Sequence, residues 1–329
     1  MSFRDDYFKM LEGKTPAADV LQFSFGTVPN QQQGYVMVMP EISDFGTMME
    51  TRKNSWGIEY ALDVYNTGLL PRPGYFMLPD VTKWKEVVKA PYRYDYDFKA
   101  AAERDLAVQK WDPETQVAGT FGLGGDYFLR LSGFMGFEGL MFAMYDEPEA
   151  MNELLDYFCD YDCWLVDNVL GYYPVDIAGF GDDNATEINP FISYEMFKEF
   201  LFPRYKRVFD VAKNHGKIIS YHNCGRCEDF MDDMVDIGAQ IWNCATPVND
   251  LMGFKEKYDF KIILEVSPRL YPADPEDKIR SEVRRIIDAY APGGAFVWIG
   301  ASLATGPQGE LVNSWIRDEV TKYGKDFYL

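Results

Sequence analysis

The pattern of apolar and polar positions divides the chain near residue 117. Beyond that point two rhythms alternate. Short β-rich runs occupy 117–125, 175–180, 218–224, 239–244, 261–266 and 295–300. The stretches between them carry the 3.6-residue spacing of amphipathic helices. One helix is predicted from Glu147 to about Gly171, with Leu154, Leu155, Phe158, Trp164 and Leu165 at its apolar positions. Another is capped by Ser193, places Met196, Phe197, Phe200 and Leu201 on one side, and is kinked or split at Pro203. Helices are also expected over 228–237, stopped by Gly238, then over 250–258, 277–290 and 309–323. In the 277–290 segment Ile279, Val283, Ile286 and Ile287 point inward.

The first third is less regular. A short helix is predicted over 6–11 and a strand over 20–25. A turn is signalled at Pro71-Arg72-Pro73-Gly74, and a short helix over 81–88 stops before Pro91. Residues 92–98 alternate aromatic and polar side chains, the mark of an edge strand or of a wall of packed rings. Strands alternating with helices imply a parallel sheet. One strand near residue 20, six from residue 117 onward and one not localised between them make eight. The predicted fold is therefore an α/β (β/α)8 TIM barrel. It is read as a single domain over 1–329, with 26–115 as an irregular N-terminal cap or insertion.

A TIM barrel builds its site at the C-terminal ends of its strands. Those ends carry Asp182, Asp183, His222, Cys224, Cys244 and Glu265. His222 and Cys224 have one residue between them in an extended run, so their side chains share a face. Imidazole and thiolate are preferred zinc ligands. A hydrogen-bonded histidine beside a buried cysteine is an equally economical reading of that spacing. Asp182 and Asp183 also admit a helix-capping or loop role. The chain holds 2 histidines; the other, His215, beside Gly216, reads as a helix C-terminal residue favoured by the dipole. Cys159 and Cys163, one helical turn apart, read as small buried hydrophobes.

Composition narrows the function classes. A net charge of −20, with Lys and Arg scattered, excludes nucleic acid and anionic membranes as partners. No apolar run reaches the length of a membrane span, and Met1-Ser2-Phe3-Arg4-Asp5-Asp6 has no apolar signal region. A cytoplasmic protein is expected, with its 5 cysteines present as thiols or ligands. The 22 Tyr, 24 Phe and 7 Trp fill a core and could line an aromatic pocket.

Several motifs together resemble the uroporphyrinogen decarboxylase superfamily. They are Gly181-Asp182-Asp183, Ile192-Ser193-Tyr194-Glu195-Met196-Phe197, Pro203-Arg204-Tyr205-Lys206-Arg207, His222-Asn223-Cys224-Gly225, Asp236-Ile237-Gly238-Ala239 and Asn243-Cys244-Ala245-Thr246-Pro247. The resemblance is close from about Asp176 onward and loose before it. It implies one of two activities: decarboxylation of uroporphyrinogen without a cofactor, or methyl transfer by zinc enzymes that work with corrinoid (cobalamin) proteins. The decarboxylase branch uses paired arginines in its N-terminal segment, and the nearest segment here, Arg72-Pro73-Gly74-Tyr75-Phe76-Met77, lacks them. The resemblance thus points to the methyltransferase branch, with His222 and Cys224 as the first two zinc ligands.

The resemblance implies that the thiol-methylating members take their third ligand from a Cys near the end of the last strand. Here that stretch is Trp298-Ile299-Gly300-Ala301-Ser302, which leaves Glu265 or Cys244 as substitutes. The implied function is transfer of a methyl group from a small methoxylated, aromatic compound to the Co(I) centre of a separate corrinoid protein. No corrinoid-binding module is recognisable in the sequence. A proton donor among Asp182, Asp183, Glu187 and Glu265, or zinc itself, would assist departure of the oxygen. The alternatives are a zinc-dependent methylcobalamin:thiol methyltransferase, and a uroporphyrinogen decarboxylase-like or catalytically silent binding barrel.

Overall fold

A computed structural model describes residues 2–24, 32–43, 50–62, 69–268, 270–300 and 306–329; the side chains of Leu62 and Cys244 lie outside that description. Eight strands form one sheet: β1 (Leu21–Phe23), β2 (Tyr35–Val38), β5 (Val117–Thr120), β6 (Ile177–Gly181), β7 (Ile218–His222), β8 (Ala239–Ala245), β9 (Ile263–Val266) and β10 (Phe296–Ile299). Their spatial order is β1-β10-β9-β8-β7-β6-β5-β2. Every pairing in it is parallel. The strand that the sequence pattern did not localise is β2. It is four residues long and embedded in the irregular first third, too short to display a period of its own. At the seam between β1 and β2 the Phe23 and Tyr35 rings stack at 4.3 Å, so side chains complete the cylinder. The architecture is a (β/α)8 barrel.

Helices cover the outside: α2 (Phe98–Gln109), α3 (Tyr127–Asp146), α4 (Pro148–Leu170), α5 (Phe202–Asn214), α6 (Glu228–Asp236), α7 (Leu251–Lys257), α8 (Glu276–Tyr290) and α9 (Gly306–Tyr323). In α8 the predicted stripe of Ile279, Val283, Ile286 and Ile287 is buried. Each such side chain contributes roughly 1.5–3 kcal/mol relative to an exposed one. Ahead of α5 the chain makes a π turn at Phe197–Leu201, and Pro203 stands at the start of α5, so the expected split occurs there. Ser193 caps this segment, its hydroxyl accepting from Met196 N at 3.2 Å. α3 was not anticipated. Its sequence is apolar on all sides and interrupted by glycine, and Gly136 leaves helical geometry within it at φ 74°. Residues 92–98 form no strand; they supply the packed rings, with Tyr92 and Tyr94 stacked at 5.0 Å and Trp164 edge-on to both.

Alternation along the strands sorts the core into two layers. Val36, Ala118, Phe180, Tyr221, Trp242, Leu264 and Trp298 face the helices. Leu21, Phe23, Tyr35, Val117, Ile177, Ile241, Ile263, Val297 and Ile299 fill the barrel interior, together with Tyr7 and Met10. The last two come from α1 (Phe3–Met10), which closes the N-terminal end of the barrel. α1 is held there by Arg4, which donates to Asp176 at 2.6 and 2.7 Å and to the Gln116 carbonyl at 3.1 Å, just ahead of β6 and β5. A two-stranded antiparallel hairpin, β3 (Tyr60–Leu62) and β4 (Leu69–Pro71), stands apart from the barrel sheet.

Candidate active site at the barrel mouth

Period-two alternation places Ile218, Ser220 and His222 on the inner face of β7, Ile241 and Asn243 on that of β8, and Ile263 and Glu265 on that of β9. Register then aligns the last members: His222 pairs with Asn243, and Asn243 with Glu265. An apolar barrel interior thus ends in a polar layer at its C-terminal end.

His222 Nε2 lies 3.6 Å from Cys224 Sγ and 3.5 Å from Asp183 Oδ1. One ligand atom from each of the three lies within 4.8 Å of the other two. Asp183 follows β6, where Gly181 pairs with His222 and a Cβ at Gly181 would stand 2.8 Å from that of His222. The small residue lets the two chain ends approach. Asp183 also accepts from Cys224 N at 2.9 Å, tying the loops after β6 and β7 together. The turn after Cys224 needs Gly225: its φ is +84°, and a Cβ there would lie 2.5 Å from the Thr186 carbonyl. Burial opposes the charge of Asp183; while the His222 ring is protonated, its hydrogen bond and charge, with the Cys224 amide, outweigh that and hold the carboxyl at about 2.

The donor set fits zinc: imidazole nitrogen, thiolate sulfur and carboxylate oxygen, three of the four ligands that zinc usually takes. The tautomer fits as well. Tyr7 Oη donates to Glu265 Oε1 at 2.6 Å, and Asn243 Nδ2 donates to Glu265 Oε2. A carboxylate only accepts, so the Asn243 amide is oriented with its oxygen toward His222, where Oδ1 lies 2.6 Å from Nδ1. His222 therefore keeps a proton on Nδ1, so that its neutral form presents the Nε2 lone pair to the site. Burial, then the Glu265 charge, push the Tyr7 hydroxyl well above its ordinary range, so it remains a donor. Glu265→Gln reverses this logic, because a side-chain amide can donate to Asn243 Oδ1 and let that residue flip. Zinc titration of this variant is expected to show about 10- to 100-fold weaker binding with the fold intact. Unchanged affinity would separate the relay from the metal site.

Asp182 is fully buried and is engaged by α3 instead of the three-residue cluster. It accepts from Phe128 N at 2.6 Å, Leu129 N at 2.9 Å and Tyr205 Oη at 2.7 Å, so it holds the N-terminal turn of α3 over the barrel. Burial pushes its carboxyl up to about 8 against the pull of these donors. The helix-capping alternative for Asp182 thus has a geometric counterpart. Glu187 is exposed on the turn after β6 and is not among the three clustered residues. Glu265 stands behind Asn243 and is likewise outside the cluster. Cys244 is on β8, its side chain outside the described residues, as are Ala301 and Ser302. Cys227 is buried, and desolvation pushes its thiol up. His215 ends α5 and meets Asp167 at 2.8 Å. Cys159 and Cys163 lie 3.9 Å apart on α4, the first fully buried and the second partly exposed.

A cavity of about 300 Å³ opens over this end of the barrel. Asp182, Asp183 and His222 line one part of it, and Trp56, Tyr60, Phe121 and Tyr161 give it an aromatic wall. Leu69 and Pro71 of the β3–β4 hairpin, together with Tyr60, place the irregular N-terminal segment against the site. Asp126, Arg130 and Asp162 bring further charge to its lining. Sequence reasoning assigned no role to Asn243, Tyr7, Trp56, Arg130 or Asp162. The available signals were the place of Asn243 near the end of a predicted strand, and the i,i+4 spacing of Asp126 and Arg130 after a glycine run.

Residues 107–306 match the family model described as uroporphyrinogen decarboxylase (URO-D). The chain matches no curated protein. Among solved structures it is similar to a methyltransferase from Methanosarcina mazei, at 15% identity and a TM-score of 0.58, with 100% of each chain covered. It also aligns with 3-keto-L-gulonate-6-phosphate decarboxylase from Vibrio cholerae, at 12% identity and a TM-score of 0.31, over 67% of this chain and 79% of that one. Among the described residues no helix is long and apolar enough to cross a membrane.

Proposed function

We propose that this chain, which belongs to the uroporphyrinogen decarboxylase (URO-D) family, is a methyltransferase that moves a methyl group from a small methoxylated aromatic compound to a separate corrinoid protein. The observation that carries the reading is the convergence of Asp183, His222 and Cys224 beside an aromatic cavity at the barrel mouth. The methanogen methyltransferase that shares the fold is consistent with it.

An ether oxygen is a poor leaving group because the alkoxide or phenoxide it becomes is basic. Zinc held by Asp183, His222 and Cys224 would supply a Lewis acid for that oxygen. A reduced corrinoid, brought by the partner, would supply the nucleophile. The bond between methyl carbon and oxygen breaks with its electron pair left on oxygen, which then takes a proton. The residues of this chain hold the ring between aromatic walls, exclude water and provide that proton. Asp182 is the proposed donor of the four candidate acids. It lines the cavity, and its Oδ1 accepts one backbone amide, which leaves a position for a proton. Glu265 keeps His222 in its ligating tautomer. The assay is methylation of a purified corrinoid protein, followed by its absorbance change with a methoxyarene as donor. Methylation of a thiol from methylcobalamin, with no transfer from any methoxylated donor, would replace this reading by the thiol-methylating one.

Decarboxylation of uroporphyrinogen is expected to be absent. Its many carboxylates need a cationic host, whereas the described cavity lining holds four acidic side chains, Asp126, Asp162, Asp182 and Asp183, against one guanidinium, Arg130. Release of CO2 from uroporphyrinogen at an ordinary enzymatic rate would overturn this expectation.

A further inference from the structure

Arg130 is 4% exposed and lines the cavity from α3. Among the described residues its hydrogen bonds all come from Nη2: one to Asp126, and two to Asp162 at 3.0 and 3.3 Å. Asp162 is itself fixed by Gly125 N at 2.9 Å. Nε and Nη1 are buried and have no acceptor among the described residues. They carry three N–H bonds between them. The guanidinium lies 4.7 Å from the Trp56 ring centre and 5.1 Å from that of Phe158, faces that attract its charge but offer no oxygen. Buried donors without acceptors are uncommon and costly in folded proteins. Here they border the space where a ligand would sit.

Charge decides the kind of acceptor. With zinc held by Asp183 and Cys224 the charges there cancel, and Asp126 and Asp162 still outnumber Arg130 by one. A carboxylate on the ligand would add a further negative charge beside these two. A neutral oxygen satisfies the donors without that repulsion.

We propose that Arg130 recognises the substrate by donating to a neutral oxygen acceptor, a phenolic hydroxyl or a second ether oxygen, carried on the same aromatic ring as the methoxyl group. The inference rests on the proposed demethylation. It selects methoxyphenols and dimethoxyarenes over anisole, which has one ether oxygen, and over methoxybenzoates. Arg130 positions the ring while the methoxyl group lies toward Asp183 and His222.

Calorimetric binding to the purified chain tests this without turnover, using anisole, 2-methoxyphenol and 4-methoxybenzoate as probes. The 2-methoxyphenol is expected to bind about 10- to 100-fold more tightly than anisole, the span of a hydrogen bond to a charged group. The methoxybenzoate should bind no better than anisole. In Arg130→Lys the advantage of 2-methoxyphenol should shrink to about threefold or less, because the ammonium retains the charge but not the planar set of donors. Should that variant fail to fold, the ranking of the three probes on the wild-type chain decides. Equal binding of anisole and 2-methoxyphenol, tightest binding of the benzoate, or full preference retained in folded Arg130→Lys would overturn the proposal. Tight binding of 2-methoxyphenol with no methyl transfer to any corrinoid protein would overturn the proposed function and leave this recognition standing. Transfer from anisole and 2-methoxyphenol with equal affinity and rate would do the reverse.

Discussion

Protein purified without chelator is expected to carry about one zinc per chain, and His222→Ala, Cys224→Ala and Asp183→Ala are each expected to lose it. The ligating atoms are already gathered within 4.8 Å, and the tautomer of His222 is set by Asn243. Structural zinc sites bind with ~10–16 kcal/mol shared over four ligands, so losing one should weaken binding by about 100-fold or more. Asp183→Ala is the informative member of the set. The sequence pointed to Glu265 or Cys244 as the third ligand, whereas the geometry places the Asp183 carboxylate beside the other two. Metal analysis that finds zinc lost from Glu265→Ala but retained by Asp183→Ala would reverse that assignment. Metal-free protein with full activity would remove zinc from the mechanism.

Asp182→Asn is expected to slow methyl transfer by about 100- to 10,000-fold, the usual contribution of a positioned proton donor. The variant also carries a structural cost. Asp182 accepts from Phe128 N, Leu129 N and Tyr205 Oη. An amide brings a donor where one of these donors already points, which costs ~1–3 kcal/mol. A denaturant titration separates the two effects, because a ~1–3 kcal/mol change leaves a marginally stable domain mostly folded. Tyr205→Phe is the control: it removes one of the same hydrogen bonds but no candidate acid. A rate loss in Tyr205→Phe as large as that in Asp182→Asn would reduce Asp182 to the anchor of α3. A normal rate in folded Asp182→Asn would exclude it as the proton donor.

Much of the barrel was legible because a parallel sheet covered on both faces imposes a simple code. Its strands read as short apolar runs and its helices as 3.6-residue stripes, and from residue 117 onward both are plain. His222 and Cys224 were legible as a pair at one strand end, but β7 stops at His222, so the expected strand to Cys224 is shorter and the loop after it brings the thiol to 3.6 Å from Nε2. Where local pattern is weak, the sequence said little. β2 has four residues, α3 is apolar all round and broken at Gly136, and both escaped.

The partners of the site belong to a different level. Asn243 and Glu265 stand beside His222 only because β7, β8 and β9 pair in one register, and a shift of one residue would turn both away from the interior. Tyr7 reaches Glu265 because α1 plugs the barrel from the opposite end, 258 positions away in sequence. Arg130 and Asp162 meet across two helices, and Trp56 joins them from the irregular N-terminal segment. By itself the sequence determined the alternating strands and helices, since these follow from periodicities of 2 and 3.6 along a short stretch of chain, and it placed the imidazole and the thiol near one strand end. Which carboxylate joins that pair, which nitrogen of His222 faces the site and what lines the cavity were decided by tertiary structure alone. Hydrogen-bond direction and charge proximity depend on distances across the fold, and those distances are not written in sequence separation.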